Sequence, residues 1–184
     1  MKKEKTKMIV FIGLLVALHI ILSRWLSINA WNLKIGFAFA ATFIGAYLYG
    51  PVGGMLVGGF GDLLGALLFP IGPYFPGFTL DCALTGLVFG LFLYKKQSKF
   101  RIGFAVVIDQ ILISLFLNTY WISILYGSAY WPIFATRVVQ VVIMIIVQFV
   151  TIMGLIKALK KLKVRSQISD ETGKANQSTE ETKS

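Results

Sequence analysis

The sequence predicts an all-α integral membrane protein: a bundle of six transmembrane helices with its N and C termini in the cytoplasm. Of the 184 residues, 57% are hydrophobic and only 14% are charged, a composition typical of membrane proteins. A hydrocarbon core about 30 Å thick is crossed by a helix of about 20 apolar residues. Six apolar segments follow one another within residues 1–165, which form the predicted membrane domain.

The first three predicted helices span residues 8–26, 35–49 and 52–69. Lysines precede the first helix, as they do in a signal peptide. However, the apolar run is long and no small-x-small cleavage site closes it, so we interpret it as a retained helix. A short loop at residues 27–34 follows it. The Gly50-Pro51 pair between the second and third helices is typical of a turn.

The second half of the chain contains three more predicted helices, at residues 78–94, 102–126 and 133–159. A loop rich in proline and aromatic residues precedes the first of them. A basic loop that starts at Lys95 separates it from the next helix, and a short loop at residues 127–132 precedes the last. Residues 166–184 contain almost no large apolar side chain, which predicts a disordered cytoplasmic tail.

The distribution of basic residues orients these helices. Lysine and arginine cluster before the first helix, between the fourth and fifth, and after the sixth, whereas the loops after the third and fifth helices carry none. Cytoplasmic loops are enriched in these residues. Six helices place all the clusters on the cytoplasmic side, whereas five or seven would place them on opposite sides. The proline- and aromatic-rich loop is therefore predicted to lie outside.

The net charge of +10 would suggest nucleic-acid binding in a soluble protein. Here the basic side chains flank apolar segments, so we assign them to membrane topology and to contacts with anionic lipid in the bilayer. The single cysteine, Cys82, excludes an internal disulfide pair and a cysteine metal cluster. No nucleic-acid partner, metal site or cofactor is predicted.

The segment of residues 61–80, GDLLGALLFPIGPYFPGFTL, is the predicted heart of a binding site. Asp62 lies near its start and Asp81 directly follows it. A carboxylate within an apolar span is costly unless it is paired or lines a polar cavity. The prolines between the two acids cannot continue either helix, and their fixed backbone suits a wall or lid over a flat ligand. Its aromatic candidates for ligand contact are Tyr74, Phe75 and Phe78.

Basic residues are predicted to meet this loop in the outer half of the membrane. Arg24 lies about 24 Å along the first helix, at about 1.5 Å per residue, and Arg137 lies near the outer end of the sixth helix. Together with Lys34 and Asp81 they indicate a pocket for an anionic aromatic ligand, because the arginine fork binds carboxylates bidentately. The alternative for the basic residues is snorkelling towards lipid headgroups.

Other polar and aromatic residues have more general interpretations. Asp62 and Asp109 lie deeper, where each either pairs with an arginine or lines the cavity, the alternative being a structural hydrogen bond between helices. His19 is interpreted as a satisfied interior group. Tryptophan and tyrosine crowd the outer side, where they are typical of the membrane interface. Among them, Tyr120 is a candidate for stacking on a ligand ring.

Small residues recur four apart in three of the predicted helices. Such pairs let helix backbones approach closely. In the third and fourth helices, internal packing is the preferred interpretation. In the first helix, Gly13 and Ala17 are candidates for an interface with a partner protein.

The sequence lacks the motifs of an ATPase or a recognisable enzyme. It contains no P-loop pattern, and no HExxH, GxSxG or Cys–His pairing of recognisable spacing. The chain is therefore not predicted to be an enzyme or to hydrolyse ATP itself.

Several stretches together resemble a known family. They are LSRWLSI at residues 22–28, KIGFAF at 34–39, GPVGG at 50–54, DLLGALLFPIGPYFPGFTL at 62–80 and ALTGLVFGLFLYKK at 83–96. These resemble the substrate-binding S component of energy-coupling factor (ECF) vitamin transporters, and most closely its folate type. The resemblance extends from the first helix to the sixth and leaves out only the tail.

This resemblance implies six helices, a vitamin captured from outside the cell, and assembly with a transmembrane coupling protein and two cytoplasmic ATPases. It also implies that small residues on the first helix contact the coupling protein, with Gly13 where the family often has alanine. We therefore predict a folate-binding subunit of an ATP-driven importer in the bacterial plasma membrane, which delivers its ligand by toppling in the bilayer. The flat pterin and the glutamate tail of folate suit the aromatic and basic candidates.

Two alternatives stay open at the level of the sequence. The chain could be an S component for another vitamin, such as riboflavin, thiamine or pantothenate. It could also belong to a different class, as an intramembrane enzyme or a structural membrane protein. An enzyme would need a catalytic pair in one plane, which the sequence does not reveal.

Overall fold

The computed structural model describes the backbone of residues 2–30 and 33–181, and the side chains of residues 6–27 and 36–162. Its elements, in chain order, are α1 (Lys2–Arg24), β1 (Ser27–Ala30), β2 (Leu33–Gly36), α2 (Ala38–Leu68), α3 (Pro76–Leu93), α4 (Lys99–Ile108), a π-helical segment (Asp109–Leu117), α5 (Asn118–Tyr126) and α6 (Tyr130–Glu181). Helices α3, α4 and α6 begin slightly earlier than predicted, α3 with a proline in its first turn, where the missing N–H has no cost.

Five helical stretches of the described chain are long and apolar enough to cross a membrane: Thr6–Arg24, Ala38–Leu68, Pro76–Leu93, Lys99–Tyr126 and Tyr130–Leu162. The predicted class of helical integral membrane protein is therefore confirmed. The predicted count of six helices is not confirmed, because the second and third predicted helices lie within one element, α2. Helix α4, the π-helical segment and α5 form one continuous span.

Helix α2 reverses direction at Gly50, where the sequence predicts a turn. Gly50 has φ 76° and ψ −165°, a backbone conformation that is essentially restricted to glycine. A Cβ atom built on Gly58 would lie 3.2 Å from Cγ2 of Thr42. In a straight helix these two residues would be about 24 Å apart. The two arms of α2, residues 38–49 and 51–68, therefore pack against each other in opposite directions.

Glycines allow the second arm of α2 to contact α3 backbone to backbone. A Cβ atom on Gly86 would overlap the carbonyl of Gly54, and one on Gly58 would overlap the carbonyl of Cys82. One on Gly90 would overlap the backbone at Pro51. Small residues permit such close approach between helices, so the interpretation of these glycines as internal packing positions is confirmed.

Helix α1 packs one face on α2 and exposes the other. Leu15 forms a core cluster with Ala41 and Val57 of α2. The opposite face of α1 is apolar and exposed, and includes Ile9 and Leu14. Such a face is suited to lipid or to a partner helix, because neither requires polar groups.

A short antiparallel hairpin, β1–β2, stands where the sequence predicts a loop and the first two residues of a helix. Ser27 is opposite Gly36, and Ile28 is opposite Ile35. The strands pair backbone groups that an irregular loop would have to satisfy in another way. Helix α2 consequently starts at Ala38 instead of the predicted residue 35.

Residues 1–152 form one compact unit and residues 153–184 another. The backbone of α6 continues to Glu181 and so includes most of the segment 166–184. The disorder of that tail and the domain boundary at residue 165 stay predictions. All the site residues described below belong to the first unit.

Candidate ligand-binding cavity

A cavity of about 800 Å³ opens among α1, both arms of α2, the loop before α3, α3 itself, the π-helical segment, α5 and α6. This volume lies within the range of small-molecule sites in proteins. The proline- and aromatic-rich loop contributes Pro70, Pro73, Tyr74 and Phe75 to its wall. The loop therefore borders the cavity, as the sequence predicts.

The structure brings most of the predicted ligand-binding residues to this one cavity. Those that line it are Arg24, Asp62, Tyr74, Phe75, Phe78, Asp81 and Arg137. Their contact with a ligand stays a prediction.

The two remaining candidates are placed differently. Tyr120 is not among the cavity-lining residues: its side chain is 50% exposed, and its ring lies 5.2 Å from that of Trp121. The backbone of Lys34 pairs with Asn29 in the hairpin, and its side chain lies outside the described residues. The cavity lining does not include Tyr120, and ligand contact by Tyr120 and by Lys34 stays a prediction.

A buried polar cluster connects α3, α5 and α6, and we call it the Asp81 cluster. The carboxylate of Asp81 accepts hydrogen bonds from Nδ2 of Asn118 at 2.9 Å and from Nε1 of Trp121 at 3.1 Å. Nη1 of Arg137 donates to Oδ1 of Asn118 at 2.6 Å. Asn118 thus bridges a buried cation and a buried anion, and each charge compensates the other in an apolar span.

A second polar cluster, which we call the Asp109 cluster, connects α3, the π-helical segment and α6. Asp109 accepts hydrogen bonds from Oγ1 of Thr85 at 2.6 Å and from Nε2 of Gln148 at 3.0 Å. Nε2 of the adjacent Gln110 lies 3.5 Å from the same carboxylate. Asp109 is only 3% exposed. It therefore makes interhelical hydrogen bonds and also lines the cavity, so both interpretations of this residue hold.

The two clusters lie at different depths along the cavity. Thr85 follows Asp81 by about one helical turn in α3, further from the aromatic loop. Gln148 follows Arg137 by 11 residues in α6, which is about 16 Å of helix. The Asp81 cluster is therefore close to the loop, and the Asp109 cluster lies deeper in the bundle.

Asp62 fixes the aromatic loop against the helices. Its Oδ2 accepts a hydrogen bond from Oγ1 of Thr79 at 2.9 Å, and the hydroxyl of Tyr74 lies 3.3 Å from the same Thr79 oxygen. Phe75 packs on Trp121 with ring centroids 5.5 Å apart. One side of the cavity is consequently an aromatic wall whose ends are held by hydrogen bonds.

His19 and Arg24 line the cavity from α1. His19 is buried, and its Nδ1 lies 3.1 Å from Oγ1 of Thr42, which agrees with its interpretation as a satisfied interior group. Arg24 passes beside Gly65, where a Cβ atom would lie 3.2 Å from its Nε. That Nε atom is buried without a hydrogen-bond partner, and so is Nε of Arg137. Both arginines line the cavity, and each keeps a buried N–H without an acceptor.

Several uncharged polar residues line the cavity but are not predicted from the sequence, because the prediction considered only charged and aromatic side chains. They are Thr42, Thr85, Gln110, Asn118, Gln140 and Gln148. A signal for some of them exists in α6. Arg137, Gln140, Met144 and Gln148 recur every three or four residues, so they share one helical face. The π-helical segment has no such signal, although this rare geometry frequently occurs at functional sites.

These observations define a multi-pass membrane protein with a small-molecule cavity that is enclosed by helices and lined by aromatic, acidic and basic side chains. The chain belongs to the family of S components of ECF-type transporters: residues 3–161 match the family model described as "ECF-type riboflavin transporter, S component". It is accordingly a multi-pass protein of the cell membrane, and its predicted resemblance to S components is confirmed.

Two individual relatives of this chain are described more specifically than the family model, as folate transporters. The chain is 34% identical over 167 residues, 90% of this chain and 97% of the relative, to the folate transporter FolT of Clostridium novyi (strain NT). It is 32% identical over 150 residues, 80% of each chain, to the folate transporter FolT of Leuconostoc mesenteroides subsp. mesenteroides.

Two solved structures share the fold. A crystal structure of FolT bound with folic acid matches with a TM-score of 0.77 and 32% identity, over 82% of this chain and 92% of that one. The S component of a bacterial ECF transporter matches with a TM-score of 0.60 and 23% identity, over 85% and 99% of the two chains. The second similarity bears on the fold alone.

Proposed function

We propose that this protein is the folate-binding S component of an ECF-type importer. It captures folate from outside the cell and delivers it through a transmembrane coupling protein that is driven by two cytoplasmic ATPases. In this role it is a binding subunit and not an enzyme. The curated relatives are described as folate transporters, and a structural relative is described with folic acid bound.

One observation on the cavity supports this proposal most directly: aromatic rings line the same space as two arginines, and each arginine has a buried Nε donor without a hydrogen-bond partner. A buried donor without an acceptor is destabilising. A carboxylate next to Arg24 or Arg137 would satisfy the buried Nε atoms with charge-assisted hydrogen bonds. The rings of Phe75 and Phe78 line the cavity and offer stacking surface for a flat ring. Folate combines these two features, a glutamate tail and a pterin.

The reversal of α2 at Gly50 supports a six-segment topology with both termini in the cytoplasm. The two antiparallel arms of α2 would count as separate passes, so the five apolar stretches give six crossings. This number brings the N-terminal lysines, the loop from Lys95 to Arg101, and the basic cluster after residue 156 to one side. An excess of positive charge is typical of the cytoplasmic side.

The exposed face of α1 supports docking of the coupling protein. Gly13 and Ala17 lie on this face. Apart from its two chain neighbours and the backbone of α1 itself, no heavy atom of the described chain lies within 4 Å of a Cβ atom built on Gly13. A partner helix could approach the α1 backbone closely at these two positions. The largely apolar outer surface is compatible with toppling of the whole subunit in the bilayer.

Riboflavin is the second candidate ligand, and the description of the family model favours it. Calorimetry separates the two ligands. The purified chain, reconstituted in lipid nanodiscs without ATP or partners, should release heat with folate and not with riboflavin. Absence of any folate signal would contradict the proposal, and tight riboflavin binding would establish the second candidate.

A further inference from the structure

A second cavity, of about 450 Å³, lies where the second arm of α2 begins, α3 ends and α4 begins. The described residues that line it are Pro51, Gly90, Leu91, Tyr94, Lys95, Lys96 and Arg101. Three of these residues are cationic and none is acidic, so we call it the basic cavity. It shares no lining residue with the ligand-binding cavity.

The positive charge of the basic cavity is not balanced by nearby acids in the sequence. Residues 91–101 contain four basic residues and no aspartate or glutamate. Nε of Arg101 donates to the carbonyl of Phe92 at 2.9 Å, which uses one of the five N–H donors of the guanidinium. The fork of its two terminal nitrogens can still bind an oxyanion bidentately. The cavity therefore suits an anionic group.

Capping of α3 does not account for the lysines of the basic cavity. The last carbonyls of a helix lack partners within the helix, and basic side chains often bind them. Here Nε2 of Gln97 donates to the carbonyl of Leu93 at 3.0 Å and lies 3.3 Å from that of Tyr94. These carbonyls already have a donor, so Lys95 and Lys96 are not needed to cap the helix.

The basic cavity also has an apolar side that continues into the exposed surface. Leu91 lines it and is 59% exposed. It precedes Lys95 by four residues, about one helical turn. Phe100, next to Arg101 in the first turn of α4, is 81% exposed. Cations beside exposed apolar side chains match a phospholipid, which joins an anionic headgroup to acyl chains, whereas a free phosphate would use the cations alone.

The basic cavity lies where such a headgroup would be found. It is formed at the end of the apolar span Pro76–Leu93 and at the start of the span Lys99–Tyr126, which is the level of the membrane surface. In the proposed topology this surface is cytoplasmic, and basic pockets between transmembrane helices on that side bind anionic headgroups. The second arm of α2 also begins here, and the positive end of a helix dipole favours an anion.

We propose that the basic cavity binds the headgroup of an anionic phospholipid, with its phosphate near Lys95, Lys96 and Arg101 and its acyl chains beside Leu91. The site lies at the opposite end of α3 from the aromatic loop and does not depend on which vitamin the chain carries. It goes beyond a general attraction between basic loops and lipid, because the position of the positive charge matters and not only its amount.

The test measures binding of one anionic lipid to the purified full chain. Phosphatidylglycerol is titrated in mixed detergent micelles without folate, with phosphatidylcholine as the zwitterionic reference, and native mass spectrometry counts the lipid molecules retained per chain. The cavity variant combines Lys95→Gln with Lys96→Gln. Both lysines are exposed, so glutamine removes their charge without disturbing the core. The matched control combines Lys160→Gln with Lys161→Gln, an exposed lysine pair that is not among the residues lining the basic cavity.

Wild type should retain phosphatidylglycerol about tenfold more tightly than phosphatidylcholine, which is the scale of one charge-assisted hydrogen bond. The cavity variant should lose this preference, and the control should keep it. Phosphatidylglycerol should also raise the melting temperature of wild type and of the control, but not that of the cavity variant.

Absence of a preference for phosphatidylglycerol in wild type would overturn the inference. Equal loss in the two double variants would assign binding to total charge instead of the cavity, and displacement of the lipid by inorganic phosphate would identify a site for a free anion. A cavity variant that keeps its lipid preference but no longer co-purifies with the partner complex would identify a protein interface. Each of these results is independent of folate binding and therefore of the proposed function.

Discussion

Nη1 of Arg137 donates a hydrogen bond of 2.6 Å to Oδ1 of Asn118. Because Asn118 also donates to Asp81, the arginine is held between α5 and α6 at one edge of its guanidinium. Its buried Nε has no partner. The contact therefore orients the arginine while leaving a donor that an anionic ligand group could use.

Arg24→Ala and Arg137→Ala should each weaken folate binding by about tenfold or more, since a charge-assisted hydrogen bond contributes about 1.5–3 kcal/mol. The corresponding lysine variants should recover only part of the lost folate affinity, because the single ammonium group of lysine cannot replace the bidentate hydrogen bonding of a guanidinium. A pterin that lacks the glutamate should bind wild type more weakly than folate does, and it should lose little affinity in the alanine variants. Titration calorimetry with both ligands measures this.

Arg101→Ala is the control for these variants, because Nε of Arg101 donates to the carbonyl of Phe92 and the residue is not among those that line the cavity. If both alanine variants at positions 24 and 137 prefer folate as strongly as wild type does, the carboxylate clamp lies elsewhere. Lys34 would then be the next candidate.

Trp121→Phe should lower the free energy of unfolding by about 1–3 kcal/mol. The substitution keeps an aromatic ring beside Phe75 but removes the Nε1 donor to the buried Asp81 carboxylate, and an unsatisfied buried acceptor costs about this much. Trp131→Phe is the matched control, because Trp131 is 75% exposed. Thermal denaturation in detergent compares the two variants. Equal melting temperatures would show that the Trp121–Asp81 hydrogen bond does not stabilise the fold.

Gly86→Ala should destabilise the fold markedly, whereas Gly103→Ala should be neutral or slightly stabilising. A methyl group at position 86 would overlap the backbone of Gly54 in the facing helix, but one at position 103 would lie 3.8 Å from Cε2 of Phe149, which is an ordinary contact. Alanine is also a better helix former than glycine by about 0.8–1.0 kcal/mol. Thermal denaturation measures both changes, and a Gly86→Ala protein as stable as wild type would contradict the close packing.

Replacing Gly13 and Ala17 together with leucine should abolish transport and assembly with the partner complex while leaving folate affinity unchanged. The bulk prevents close approach of a partner helix, and these positions lie on the exposed face of α1. Co-purification with the coupling protein and folate calorimetry provide the two measurements. Loss of folate binding would instead mean that this face of α1 supports the cavity.

The composition and the order of apolar and basic segments are sufficient to predict a helical membrane protein, because crossing a bilayer requires long apolar helices. The motif at residues 62–80 likewise predicts both the family and the wall of the site. Gly50-Pro51 predicts a turn from its backbone preferences alone. These features depend on local sequence, so the chain by itself determines them.

The tertiary structure decides which polar groups meet. Asp109 bonds to Thr85 and Gln148, which are 24 and 39 residues away, and no local periodicity encodes such pairs. The same limitation explains why Gln110 and Gln148 are not predicted to lie at the cavity that they line. Burying a neutral amide costs much less free energy than burying a charge, so a glutamine in an apolar segment does not by itself indicate a site. These amides become part of the cavity only because three helical elements pack around one carboxylate.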